Sequence, residues 1–248
     1  MTAHVAVVTG GGSGIGAAIC RRLAADDYTV AALDVDAGAA EKIVNQVAPG
    51  RGIAVYADVS DPESVTAAID GVLGEFGRVD LLVNNAGISG SAEATICHTT
   101  PVDEWDRVIA VNVRGPFLCT KAVLPSMIER GSGHIVTIAS VAGQVAFPQR
   151  CAYTASKGAA LMFAKSIAVD YASMGIRSNA VCPGFVQTPM TQWRLDVPEL
   201  RQRVENAIPL GRVAQPDEIA EAVALVADPR LRYLTGHALT IDGGWTAL

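Results

Sequence analysis

Seven short, apolar, largely β-branched runs recur along the chain, each followed by a longer stretch with helical spacing. They are HVAVVT (4–9), TVAALD (29–34), GIAVYAD (52–58), DLLVNNA (80–86), GHIVTIAS (133–140), IRSNAVCP (176–183) and ALTID (238–242). Most are almost continuously apolar, which suits strands covered on both faces rather than one. The intervening patterns predict helices over 14–25, 37–48, 61–77, 101–129 with a break near Pro116, 151–173 and 215–227. Asp61-Pro62 and Gln215-Pro216 read as helix starts, with proline at the first helical position. Strand and helix alternating in this way imply an α/β fold, a parallel sheet with helices on both faces. With 248 residues, half of them hydrophobic, and no linker or repeat, one domain spanning 1–248 is expected. Residues 184–212 break the rhythm with several prolines and read as a substrate lid.

The stretch TGGGSGIG (9–16) follows the first strand and opens the first helix. Glycines at 10, 14 and 16 let the backbone turn and approach a pyrophosphate, and a helix N-terminus offers N–H donors and positive potential. The context of strand, loop and helix is what separates this motif from an ordinary glycine-rich turn. A P-loop is excluded because Ala17-Ala18 follow Gly16 where Lys and Ser/Thr are needed. A nucleophile elbow is excluded because Ile15 stands two places after Ser13. The second strand ends on Asp34, whose carboxylate can accept ribose hydroxyls and would repel a 2′-phosphate. No Lys or Arg follows it closely, so NAD is favoured over NADP. Asp36, not Asp34, is the better cap for the next helix.

The net charge of −6 argues against a nucleic-acid partner. The paired arginines at 21–22 and at 201 and 203 read as solvated helix faces. Five scattered cysteines and four scattered histidines have no metal-ligand spacing, so no metal is expected. No signal peptide or membrane span is legible, and a cytoplasmic location is expected.

Tyr153 and Lys157 stand four residues apart, on one face of a helix. A nearby ammonium, with the positive nicotinamide ring of NAD⁺, favours a phenolate, and so prepares a tyrosine whose ordinary pKa of about 10 is too high for proton exchange at neutral pH. Together with TGGGSGIG, Asp58-Val59, NNAG (84–87), Asn112, Ser140, Pro183-Gly184, Thr188 and DGG (242–244), this pair makes the chain resemble the short-chain dehydrogenase/reductase family over nearly its whole length. The resemblance implies a seven-stranded, Rossmann-like, doubly wound sheet and a homotetramer. It implies catalysis by Ser140, Tyr153, Lys157 and Asn112, with Tyr153 as acid/base, Ser140 on the substrate oxygen and Asn112 supporting a water link to Lys157. It also implies that Ser13 and Ile15 line the pyrophosphate, that Asp58 and Val59 flank the adenine and that Asn85 lies near its ribose. Lys157 would hold the other ribose, and Pro183, Val186 and Thr188 the carboxamide side of the nicotinamide.

The lid and the stretch 98–115 are similar to those family members that act on 2-hydroxypropyl-coenzyme M. That likeness implies that Arg150 and Arg194 clamp an anionic tail of a small-molecule substrate, with Trp193 beside it. Guanidinium groups suit sulfonate or carboxylate because they offer two parallel donors. The alternatives are a 3-oxoacyl thioester reductase with the same core, and a dinucleotide-sensing protein that has lost catalysis. The complete set of Ser140, Tyr153, Lys157 and Asn112 argues against the latter.

Overall fold

The computed structural model describes residues 4–47 and 49–247. Its strands are β1 (Val5–Thr9), β2 (Thr29–Asp34), β3 (Ile53–Tyr56), β4 (Leu81–Asn84), β5 (Gly133–Ile138), β6 (Ile176–Pro183) and β7 (Ala238–Ile241). They form one sheet in the order β3-β2-β1-β4-β5-β6-β7, with every pairing parallel. The helices are α1 (Gly14–Ala25), α2 (Ala37–Val47), α3 (Pro62–Phe76), α4 (Val102–Ile109), α5 (Gly115–Arg130), α6 (Cys151–Tyr171), α7 (Pro189–Leu195), α8 (Pro198–Asn206) and α9 (Pro216–Ala227). The Rossmann-like, seven-stranded α/β fold expected from the sequence is the fold observed. Ala48, the last position of the expected 37–48 helix, lies outside the described residues.

Strand alternation divides the core in two. Ala6, Val8, Val30 and Ala32 point to one face, where α1, α2 and α9 bring Ile19, Leu23, Ile43, Ile219 and Val223. Val5, Val7, Ala31 and Leu33 point to the other, against Ile69 and Val72 of α3 and Val123 and Met127 of α5. Burial on both faces is why these strands read as unbroken apolar runs. Strand order reverses between β1 and β4, and at such a switch point the loops leaving the two strands diverge and open a crevice. The glycine loop leaves β1 there, and residues 85–88 leave β4.

Helix ends follow their local chemistry. Asp61 caps α3 by accepting from Glu63 N and Ser64 N, Pro62 opens it, and Gly77 closes it in a left-handed conformation (φ 69°). Asp36 accepts from Ala39 N at 2.9 Å, the capping role expected of it.

Two segments differ from their expected form. The 101–129 pattern is one continuous helical path, and the irregularity precedes Pro116 as a π turn over Ala110–Arg114. A widened turn accommodates the proline that follows, whose missing N–H would otherwise interrupt an α-helical ladder. The path Val102–Arg130 is long and apolar enough, by length and composition, to cross a membrane. Here it is a core helix, with Cys119, Val123 and Met127 in the apolar interior and Asn112 buried on the π turn. The 184–212 stretch is not a plain loop. It carries α7 and α8, each opened by a proline after an extended residue, Thr188 and Val197.

Candidate active site

At the phosphate end, the loop is built almost wholly from backbone. Gly10 (φ 64°) and Gly14 (φ 51°) take left-handed conformations. A Cβ on Gly16 would run into the Gly10 carbonyl oxygen. Gly16 therefore does not line the cavity, as the motif suggested, but lets α1 close against the loop beneath it. Ser13, the residue before α1, makes no side-chain cap, so the first-turn N–H groups of the helix have no side-chain acceptor from it. Asn85 donates from Nδ2 to Thr9 O (2.9 Å) and Gly10 O (3.2 Å), and the Thr9 hydroxyl accepts from the backbone N–H groups of Asn85 and Ala86. Thr9, unremarked in the sequence, is thus the pin that ties the β1 and β4 loops together.

A cavity of about 350 Å³ runs from this loop across the ends of the strands. Gly10, Ser13, Gly14 and Ile15 form one end, and Asp34, Asp58 and Val59 one wall. Asn85, Pro183, Val186 and Thr188 border the path to Ser140, Tyr153 and Lys157. Asp34 already accepts from Gly12 N (2.9 Å) and Asp36 N (3.0 Å), one bond per oxygen, so each oxygen keeps capacity for a hydroxyl. An elongated groove with a glycine cradle at a helix N-terminus and a carboxylate at the end of β2 fits a dinucleotide.

Tyr153 and Lys157 project from one face of α6, the ammonium nitrogen 5.8 Å from the phenol ring centre. Lys157 is buried and donates to Ile138 O at 2.8 Å. Burial depresses its pKa to about 8. Ser140 ends the β5 segment, beyond the last strand residue, and its hydroxyl accepts from Ala142 N at 3.1 Å. The Tyr153 phenol is pushed up by burial, and a hydrogen bond with Ser140 and the charge of Arg150 pull it back without cancelling that effect. In the protein alone, burial disfavours the charged form of both the phenol and the ammonium, and the expected help of Lys157 and of an oxidised dinucleotide works against that penalty.

Asn112 is buried on the π turn, where it meets the β4 loop and α6. Its Oδ1 accepts from Ile88 N and its Nδ2 donates to Ile88 O, both at 2.8 Å, and to Ser156 Oγ at 3.0 Å. It makes no direct bond to Lys157. It holds the β4 loop against α6, and Ser156 relays that grip by donating to Tyr153 O at 2.7 Å.

A second cavity, of about 600 Å³, meets the first at Ser140 and Tyr153. Arg150, Trp193 and Arg194 all line it. The Arg194 guanidinium lies over the Trp193 ring at 4.9 Å. Arg194 is held below its ordinary pKa by burial and by the charge of Arg150. Phe147 and Trp245, with ring centres 4.7 Å apart, and Phe185 make an aromatic wall. Arg203 also lines it, and no Asp or Glu is among the lining residues. The signal for Arg203 was a helical spacing, Leu200, Arg203, Val204 and Ala207, readable once 198–206 is known to be helix.

A family profile described as enoyl-(acyl carrier protein) reductase matches residues 10–246. The chain belongs to the short-chain dehydrogenase/reductase family. A 2-(R)-hydroxypropyl-CoM dehydrogenase of Xanthobacter autotrophicus is 51% identical over 99% of both chains. A 2-(S)-hydroxypropyl-CoM dehydrogenase of the same organism is 41% identical over 99% of this chain and 97% of its own. Among solved structures, a 3-ketoacyl-(acyl-carrier-protein) reductase of Brucella melitensis, complexed with NADH, superimposes with a TM-score of 0.91 at 34% identity over 98% of each chain. This short-chain dehydrogenase/reductase is accordingly a nicotinamide-dinucleotide-dependent oxidoreductase of the alcohol–ketone couple.

Proposed function

We propose that this enzyme uses NAD(H), in preference to NADP(H), to interconvert a secondary alcohol with a short anionic tail and its ketone, 2-hydroxypropyl-coenzyme M being the substrate its 51% relative suggests. The observation that carries this reading is Arg150 beside Arg194 in the cavity that opens onto Tyr153, with no carboxylate among the lining residues. An anion seated between two neighbouring guanidinium groups offsets their mutual repulsion. Asp34 supports NAD, since its charge disfavours a 2′-phosphate.

The groove would hold a nicotinamide dinucleotide, whose chemistry would be to supply or accept hydride at the substrate carbon. The chain's own part is the proton and the geometry. In oxidation, the Tyr153 phenolate oxygen takes the alcohol proton while the Ser140 hydroxyl donates to the oxygen that becomes the carbonyl. In reduction, Tyr153 returns that proton. Lys157, anchored on Ile138 O, keeps ammonium hydrogens for the ribose and for the electrostatics of the phenol. Arg150 and Arg194 fix the far end of the substrate, so that the carbinol carbon is presented to the reacting face.

Exposed apolar side chains along α4 to α6, Trp105, Phe117, Met162 and Val169, together with Leu225 on α9 and Tyr233 in the segment before β7, support the homotetramer expected of the family. A reading as a 3-oxoacyl thioester reductase draws on the Phe147–Phe185–Trp245 wall, which suits an acyl chain.

The deciding experiment is a panel of NAD-linked assays on 2-hydroxypropyl-coenzyme M, a 3-oxoacyl thioester and 2-butanol, with wild type, Arg150→Ala and Arg194→Ala. Each variant is expected to lose about tenfold or more in kcat/KM on the sulfonate, as for a charge-assisted hydrogen-bonded pair, and far less on 2-butanol. Equal losses on both alcohols, or a wild-type preference for the thioester, overturn the anionic-tail reading.

A further inference from the structure

The third arginine of the substrate cavity has no role in the reading above. We infer that Arg203, on α8, is an outer capture residue for the anionic substrate: it draws the tail to the cavity mouth and raises its local concentration before Arg150 and Arg194 hold it. This rests on the anionic-tail reading of the same cavity and adds to it an entry step and the residue that controls it.

Three observations carry the inference. First, Arg203 belongs to the cavity and not to an ordinary solvated face. Leu200, Arg203, Val204 and Ala207 share one side of α8, and all four line the cavity. Second, its guanidinium is left without an anion. Most arginines of this chain lie against a carboxylate, as Arg212 does with Glu218 and Arg230 with Asp228. Arg201, two residues earlier on α8, bonds Glu205 and Leu195 O. Arg203 has Glu199 one turn before it, the usual helical partner. Yet among the described residues no ion pair joins them, nor does Arg203 meet any other carboxylate. Third, the three cavity arginines are graded by depth. Arg203 is exposed, whereas Arg150 and Arg194 are half-buried.

The charge of the whole molecule explains what such an arrangement does. The chain carries 25 acidic against 19 basic side chains, a net charge of −6, so an approaching anion meets a repulsive far field. Within a Debye length of about 8–10 Å the nearest charges dominate, and an exposed cation at the rim of a low-dielectric cavity reverses the sign of the potential there. A cation for capture belongs at the mouth, free of internal partners, and its effect is screened by salt. A cation for holding belongs deeper, where salt screens it less.

The test compares kcat/KM at saturating NAD⁺ for 2-hydroxypropyl-coenzyme M and for 2-butanol across a series of KCl concentrations, in wild type, Arg203→Gln, Arg203→Lys and Arg232→Gln. Arg232 lies outside the cavity and makes the same change in net charge. Arg203→Gln is expected to lower kcat/KM for the sulfonate about fivefold at low salt, through KM, with the gap to wild type closing as salt rises. Arg203→Lys restores most of the loss, because charge and not fork geometry is what capture uses. Arg232→Gln follows wild type. No gap, a gap that persists at high salt, or the same gap on 2-butanol overturns the capture role. If Arg150→Ala and Arg194→Ala separate the two substrates while Arg203→Gln does not, only the capture role is lost. If none of the three separates them, the anionic-tail reading itself has failed.

Discussion

The two cavities that meet at Tyr153 are made of different material. The dinucleotide groove is mostly backbone: left-handed glycines, a helix N-terminus without a side-chain cap and a loop pinned by Thr9 and Asn85. The substrate cavity is mostly long side chains, arginines and aromatics, on two short helices and the segment before α6. Backbone cannot be exchanged by substitution, so the first cavity binds one kind of molecule. Side chains can, so the second is where relatives with the same core come to differ in substrate. The difference predicts where a substitution removes everything and where it only redirects.

Tyr153 is the point at which the two halves work on the same atom, and it should give the largest effect. Tyr153→Phe removes only the hydroxyl, so both cavities keep their shape. The expected result is a fall in kcat of about 10³-fold, the scale of general acid–base catalysis, with the dissociation constant for NADH unchanged in a fluorescence titration. Retained turnover would remove Tyr153 from the proton-transfer role.

Gly16→Ala attacks the backbone-built side. The added Cβ meets the Gly10 carbonyl oxygen, a rigid partner that cannot swing aside. Overpacking of this kind costs about 1–3 kcal/mol, and the loop it displaces is the pyrophosphate cradle. Thermal unfolding should show a lower Tm, and NADH fluorescence a large loss of binding. A variant that binds NADH like wild type would show that the cradle tolerates side chains, and the contrast between the two cavities would fall with it.

Asp34 tests whether the contrast is complete, because it is a side chain inside the backbone-built half. Asp34→Ala removes an acceptor for ribose and the charge that repels a 2′-phosphate, and it also frees Gly12 N and Asp36 N. The ratio of kcat/KM for NAD over NADP should shrink about tenfold, the worth of one charge-assisted hydrogen bond. A wild-type ratio that already favours NADP would overturn the cofactor assignment.

The same contrast governs what could be read from the sequence. The strands were legible because burial on both faces leaves only apolar residues in them, and Val5–Thr9 is buried at every position. The expected ends overran where the chain leaves the sheet to build the site: Asn85 pins the glycine loop, and Ser140 caps a short turn instead of continuing β5. α8 was illegible for the opposite reason. PELRQRVEN has no buried residue, so no core-facing stripe marks it as a helix, and Arg203 was lost with it among solvated charges. The π turn at Ala110–Arg114 left no sequence signal apart from the proline after it. Tyr153 and Lys157 were found by spacing, but spacing carries no information about burial, and burial sets their titration here.

That last point gives the smallest and most informative effect. In the protein alone, burial holds Tyr153 above the ordinary tyrosine value, so at neutral pH it is a protonated phenol, ready to donate to a carbonyl oxygen and unready to accept from an alcohol. Lys157, depressed to about 8, still carries most of its charge at pH 7 and loses it as pH rises past that value. Oxidation needs a further positive charge beside the phenol, and oxidised dinucleotide carries one in its ring while the reduced form does not. An ultraviolet tyrosinate titration, taken as wild type minus Tyr153→Phe, should thus show ionisation above the free-tyrosine value without ligand, and lower by about one unit with NAD⁺ bound but not with NADH. Identical curves in all three states would mean that the contents of the groove do not reach the phenol by charge, and that its proton is managed by Ser140 and Arg150 from the substrate side alone.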